Sequence, residues 1–323
     1  MGTRRYLAGK MLQALLTLLF VLVFNFFLFR VIPGDPAQIL ARAKHLPKEA
    51  IEQLTEDFGL NEPLPKQFAL YVEDTVTGNL GISYKFRRPV ADVIASRVWP
   101  TVLLVGVATL AATAIGLLIG IYGAWRRGSK LDLSTLGTSL VFYAMPEFWL
   151  GILLLMGLAA GLGWFPTGGI VTPGAGFTGL AAATDVLNHL FLPAITLTLA
   201  LIGEYALIMR SSLLDVMGED YLVTARAKGL REALVLRRHA VRNALLPTVT
   251  LVALNLGFVV SGAITVELVF SWPGLGLLTA EAASVPDFPL LQGLFLLFSV
   301  TVIIANLAAD LIYGYLDPRV RRV

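Results

Sequence analysis

Six stretches of this chain, about 10–30, 100–124, 133–160, 190–209, 247–268 and 289–315, are apolar and long enough to cross a bilayer, which takes about 20 residues as a helix. Charged residues make up 15% of the 323-residue sequence, where a soluble domain carries about 25%. The expected fold class is therefore all-α integral membrane, with six transmembrane helices. The first stretch, Met11 to Phe29, follows Arg4, Arg5 and Lys10 and invites a signal-peptide reading, with Thr3-Arg4-Arg5 faintly like a twin-arginine signal. It is longer than a signal core and no small-x-small cleavage site follows, so a retained membrane helix is expected. The sequence has no cysteine, which excludes disulfides, thiolate metal sites and cysteine nucleophiles.

The basic residues give the expected orientation. Three Lys/Arg lie in the N-terminal tail, three in 125–132 (Arg126, Arg127, Lys130), seven in 210–246 and three in the C-terminal tail (Arg319, Arg321, Arg322), while 161–189 and 269–288 have none. By the positive-inside rule both termini, 125–132 and 210–246 are expected in the cytoplasm; the segment 31–99, which carries most of the remaining Lys and Arg, is too long for that rule to apply. The chain divides accordingly: tail and first helix 1–30, extracytoplasmic cap 31–99, five-helix core 100–315 containing the cytoplasmic loop 210–246, and tail 316–323.

The cap is expected to be a small helical element. Pro47 opens a helix with Ile51, Leu54 and Phe58 on one face and Gly59 as its stop; Pro65 opens a second, with Phe68, Tyr71, Val72 and Val76 facing inward and Gly78 closing it. Within the spans, Gly116 with Gly120 and Gly157 with Gly161 have the spacing that lets helix backbones approach, which points to packing rather than to a substrate site.

Most candidate chemistry fails on inspection. "GAWRRGSK" (123–130) nearly spells a phosphate-binding loop, but Ser129 precedes Lys130 where the order must be reversed, and the context is a turn between spans. If ATP drives this protein, another chain binds it. Glu147, Glu204, Glu267 and Asp310 fall at membrane depth, where a carboxylate at a helix centre costs about 2.5–3.5 kcal/mol. They read either as a proton or cation path or as residues near span ends; Glu204 is the most central and the candidate for a substrate pathway. His45, His189 and His239 lie in three different loops, and no ligand spacing on one helix supports a metal site or hydrolytic centre. No enzyme activity, metal or cofactor is expected on this chain.

The feature left unexplained is "YLVTARAKGLREALVLRRHAVRNALLP" (221–247), with six Lys/Arg and a single acid, Glu232. Arg231, Arg238 and Arg242 fall within about 40° on one face of a continuous helix, with Ala233, Leu236, Ala240 and Ala244 on another. Gly229 permits a turn that a Cβ would obstruct. A helix, a sharp turn and a second helix ending at Leu246-Pro247 are expected. Anionic lipid could attract such charge, yet small residues at the tip (Ala225, Ala227, Gly229) suit docking into a groove of another protein.

These residues resemble a known family. "TARAKGL" followed by "RHAVRNALLP" is similar to the cytoplasmic coupling loop of type I ABC importer permeases, in the group that moves dipeptides, oligopeptides and nickel. "RVIPGDP" (30–36), "FGLNEPL" (58–64), "GNLGIS" (78–83), "VELVFSWPGLG" (266–276), "DFPLLQG" (287–293) and "NLAADLIYGYLDPRVR" (306–321) extend the resemblance nearly end to end. Val223 and Thr224 stand where the general motif has Glu and Ala, and Asn79 where the group usually has Asp. The resemblance implies a permease subunit of an ATP-driven importer for di- or oligopeptides, in the bacterial or archaeal inner membrane. It also implies a second homologous permease, one or two cytoplasmic ATPase subunits and an extracytoplasmic substrate-binding protein as partners, and none with nucleic acid. Thr224, Ala225, Arg226, Ala227, Lys228 and Gly229 would form the docking tip, supported by Arg231, Arg238, Arg242 and Pro247. Nickel or another small solute is the alternative cargo. The rival classes are a proton-coupled secondary transporter using Glu204 and Asp310, weakened by the lack of an inverted repeat, and a membrane enzyme or insertase-like helper, for which no catalytic constellation exists.

Overall fold

A computed structural model of the chain describes residues 2–30, 62–258 and 263–316. These residues are almost wholly helical; an isolated bridge between Ile82 and Pro89 is the one β pairing among them. The helix expected over 47–59 and the C-terminal tail from 317 lie outside the described residues. In chain order the helices are α1 Gly2–Arg30, α2 Leu64–Thr77, α3 Val90–Trp125, α4 Lys130–Ala144, α5 Glu147–Leu154, α6 Gly179–Met217, α7 Asp220–Ala227, α8 Glu232–Leu234, α9 Val241–Phe258, α10 Ile264–Val269, α11 Leu275–Ser284 and α12 Phe288–Leu316. Two π-helical stretches, Leu155–Gly161 and Val235–Ala240, continue α5 and join α8 to α9.

Four helices are long and apolar enough to cross a membrane: Ala8–Phe29 of α1, then α3, α6 and Phe288–Ala308 of α12. Lys130–Ala144 and Glu147–Gly161 make a fifth span if the pair, bent by 98°, counts as one. Pro146 causes the break: it lacks an N–H and forces Met145 into extended backbone. The sixth expected span, 247–268, begins within α9 and runs through 259–262, which are outside the described residues. Six spans are thus an expectation that four, or five, described helices meet. Observed helices also outrun the expected spans, α3 starting at Val90 and α6 covering Gly179–Met217. Hydropathy marks the lipid-facing length of a helix, not its ends.

The chain forms two compact units. The first contains residues 1–100, 260–264 and 273–323. In it α12 packs along α1, so the last span of the expected 100–315 core groups with the first span. Val90, Val93 and Ile94 of α3, Leu275, Leu278 and Ala282 of α11, and Leu290 and Leu294 of α12 form its buried core. A fully buried carboxylate, Asp287, accepts from the Ser83 hydroxyl at 2.6 Å and the Lys85 N–H at 3.0 Å. The predicted second cap helix is α2, begun at Leu64-Pro65 and ended by Gly78 in left-handed conformation. Phe26 of α1 meets Phe68 and Tyr71 at ring-centroid distances of 5.3 and 5.8 Å. Val76, expected on the same inward face, is 79% exposed; eight residues after Phe68 it has rotated about 80° off the stripe. Asn79 accepts from the Gly81 N–H at 3.2 Å and donates to Asp74 at 3.0 Å, so the turn keeps the acceptor that Asp would have supplied.

The second unit contains residues 101–259 and 265–272. Gly116 and Gly120 bring α3 onto α6 as their spacing suggested: added Cβ atoms would stand 2.7 Å from that of Tyr205 and 2.6 Å from the carbonyl oxygen of Ala206. Gly157 and Gly161 do not repeat this. A Cβ on Gly157 meets nothing within 4 Å, and one on Gly161 meets only the Met156 carbonyl of its own π-helical turn. Gly203, not singled out from the sequence, seats α6 against the backbone of Ser139 and Tyr143 in α4.

Candidate functional site

The basic stretch 221–247 folds as helix, turn and helix. α7 begins after Glu219 with Asp220 in its first turn and Arg226 in its last, both charges favourable to the helix dipole. Its end is a Schellman closure: the Gly229 N–H donates to the Arg226 carbonyl at 2.9 Å, and the Leu230 N–H to the Ala225 carbonyl at 3.4 Å. Gly229 has φ +75°, a left-handed conformation that costs other L-residues roughly 1–2 kcal/mol. This is the sharp turn that glycine at this position suggested.

The six tip residues do not share one role. Thr224, Arg226, Ala227, Lys228 and Gly229 are exposed. Ala225 is 5% exposed and belongs to an apolar body with Ala124, Met209, Leu213, Leu222, Val235, Ala240 and Ala244. It therefore seats the tip rather than lining its outer surface. Arg226 spans the turn to Glu232, Nε to Oε1 at 3.0 Å. The single acid of 221–247 thus braces its own turn, and Lys228, Val223 and Thr224 are exposed on the tip. Tyr221 accepts a hydrogen bond from Asn243 Nδ2 at 2.8 Å, tying α7 to α9.

Beyond the turn the single amphipathic helix gives way to α8, a π-helical stretch and α9. Arg231 precedes the helix as its N-cap, with φ −61° and ψ 138°. It cannot share a helical face with Arg238 and Arg242, although all three are exposed. Ala233 is exposed and Leu236 half-buried; Val235 takes the inward position with Ala240 and Ala244. The π-helical i→i+5 repeat puts residues 235 and 240 on one face, which a 3.6-residue period does not. Pro247 lies inside α9 rather than at the end of a helix, since α9 starts at Val241.

The near phosphate-loop is a helix cap. Ser129 Oγ accepts from the Asp132 N–H at 3.2 Å, and Asp132 Oδ2 accepts from the Gly128 N–H at 2.9 Å, a variant of the reciprocal capping arrangement. Asp132 also takes a two-pronged contact from Arg210, at 2.7 and 3.0 Å. The sequence carried the cap's signal, Ser-x-x-Asp before an apolar run; nothing in it pointed to Arg210 as the partner.

The four deep carboxylates differ. Glu147 sits in the first turn after the Pro146 break and accepts from the Thr265 hydroxyl. Glu267 is fully buried and accepts from Thr101 at 2.8 Å. Asp310 pairs with Lys10 at 2.8 Å, joining α12 to α1. Glu204, half-buried on α6, makes no hydrogen bond or ion pair among the described residues. His189 contacts the Asp185 carbonyl at 2.8 Å and His239 lies in the π-helical stretch; His45 is outside the described residues.

Residues 116–322 match the family described as "Binding-protein-dependent transport system inner membrane component", and residues 3–105 match its N-terminal component. The chain belongs to this family. It is similar to the oligopeptide transport system permease protein AppB of Bacillus subtilis, with 36% identity over 316 residues and 98% of each chain covered. It is likewise similar to the glutathione transport system permease protein GsiC of Pectobacterium atrosepticum, with 39% identity over 319 residues and 98% of each. Its fold matches the inward-facing MetNI methionine ABC transporter with a TM-score of 0.56 and 18% identity, covering 70% of this chain and 96% of the other. The protein is thus a permease subunit with the type I ABC importer fold, an inner-membrane transporter component and not an enzyme.

Proposed function

We propose that this permease forms half of the path of an ATP-driven importer of di- or oligopeptides, and that 224–229 is where a cytoplasmic ATPase docks. The observation that carries the docking assignment is the α7 tip: a helix closed by a Schellman turn, seated on an apolar body through Ala225 and Leu222, with Val223, Thr224, Ala227 and Lys228 facing outward. Small and basic outward groups on a braced turn can enter a cleft and move as one piece with the helices behind it. The peptide cargo is inferred from the relatives, whose names specify oligopeptide, peptide and glutathione transport.

On this reading both termini and the 210–246 loop are cytoplasmic, following the distribution of Lys and Arg. A second, homologous permease completes the path. One or two ATPase subunits bind and hydrolyse ATP; their closure draws the two docking loops together and opens the path outward. A substrate-binding protein delivers peptide to the outer surface that includes α2. This chain's share is mechanical: it needs a rigid tip, a stiff connection from the tip to its spans, and spans that can rearrange.

The test is Gly229→Trp in the assembled complex. A bulky side chain at φ +75° on the tip should prevent seating, so ATPase recovered with the permease or uptake per ATP hydrolysed should fall sharply. Normal recovery together with normal coupling would refute the docking assignment. Proton coupling through Glu204 and Asp310 is disfavoured by family membership and by the Asp310–Lys10 pair.

A further inference from the structure

We propose that the Asp132–Arg210 ion pair is the latch that makes α4, and with it the bent third span, follow the docking loop; the proposal rests on the docking assignment above. The apolar body beneath the tip unites Ala124, the end of α6 (Met209, Leu213), α7 (Leu222, Ala225), the π-helical stretch (Val235, Ala240) and α9 (Ala244). The Ser212 hydroxyl adds a bond to the Ala244 carbonyl at 2.8 Å. Force on α7 is therefore shared at once by the end of α3, α6 and α9.

α4 has no residue in that body. Its buried residues are Asp132 and Ser139, both polar, whereas Leu133, Leu140, Val141 and Tyr143 are exposed. Ser139 meets α6 at Gly203, where the two backbones touch. At the end nearest the loop, the tie is directional: Arg210 Nε and Nη2 grip the two oxygens of Asp132 at 2.7 and 3.0 Å. The Asp132 side chain is 7% exposed and that of Arg210 22%, so water competes little for the pair. The same carboxylate holds the Gly128 N–H at 2.9 Å and so fixes the α3–α4 turn. A planar two-pronged contact resists rotation as well as separation, which a single lysine contact does not. α4 then leads directly to the 98° break at Pro146, so this guanidinium is the charged, directional tie between the loop end of α6 and the helix that leads to that bend. Asp132 and Arg210 are positioning residues; neither touches cargo or nucleotide.

The test compares D132N, R210K and G229W in the complete complex of both permeases and ATPases in liposomes, with the binding protein added and a radiolabelled tripeptide as cargo. The readout is peptide taken up per ATP hydrolysed. The latch predicts a several-fold fall in that ratio for D132N and a smaller fall for R210K, with ATPase still recovered alongside the permease. Should D132N fail to assemble, R210K, which keeps the charge but loses the fork, decides alone. An unchanged ratio in the assembled variants, including uptake and hydrolysis falling in proportion, overturns the latch while a lowered ratio or lost ATPase in G229W leaves the docking assignment standing. G229W behaving as wild type removes the docking assignment, and the latch with it.

Discussion

Gly229 illustrates how one backbone angle can serve function. At φ +75° nothing lies within 4 Å of the place a Cβ would take, so its requirement is conformational rather than steric. Gly229→Val should cost at least the roughly 1–2 kcal/mol of a left-handed L-residue, while Gly229→Asn, which tolerates that region, should cost less. Thermal unfolding of the two variants in detergent would show the order, and equal midpoints would contradict it. Asp287 makes a different residue-scale claim. Removing its carboxylate with Asp287→Ala strands the Ser83 hydroxyl and the Lys85 N–H, at about 1–3 kcal/mol for a buried unsatisfied group. Protease sensitivity between residues 79 and 89 should rise in that variant, and an unaltered digestion pattern would count against this role.

At the scale of elements, glycines distinguish helix contacts from lipid-facing surface. Gly120→Leu should force α3 off α6 and destabilise the protein by about 1–3 kcal/mol, the usual cost of overpacking. Gly157→Leu should lie within about ±0.5 kcal/mol of wild type, like other substitutions away from such contacts. Equal effects of the two would contradict the packing described. The sequence announced both pairs identically, because spacing reports which residues share a face but not whether another helix lies opposite. The same limit operates in the loop. Gly229 and the inward Ala240 and Ala244 were legible from residue type and spacing. Val235 in place of Ala233 was not, since a helical period read from sequence assumes 3.6 residues per turn and the chain switches to i→i+5 bonding. The Arg226–Glu232 brace and the Asp132–Arg210 grip arise across a turn and between helices, where linear spacing says nothing about distance. Spans were legible at their apolar middles; their ends, and the Pro146 break within one of them, depend on caps and backbone geometry.

For the whole molecule, the family and the type I importer fold make this chain one part of a machine that gets its energy elsewhere. Its own near phosphate-loop is spent on capping α4, and its deep carboxylates Glu147, Glu267 and Asp310 are engaged by Thr265, Thr101 and Lys10. The central claim is that uptake through this permease is driven by ATP hydrolysed on partner subunits. The most direct measurement is peptide uptake into proteoliposomes holding the purified complex, with ATP supplied on the ATPase side, binding protein on the other, and the proton gradient collapsed by a protonophore. Uptake that requires ATP, survives the protonophore, persists in Glu204→Gln and is lost in Gly229→Trp is the predicted result. Uptake that needs the proton gradient, proceeds without ATP and disappears in Glu204→Gln would contradict it.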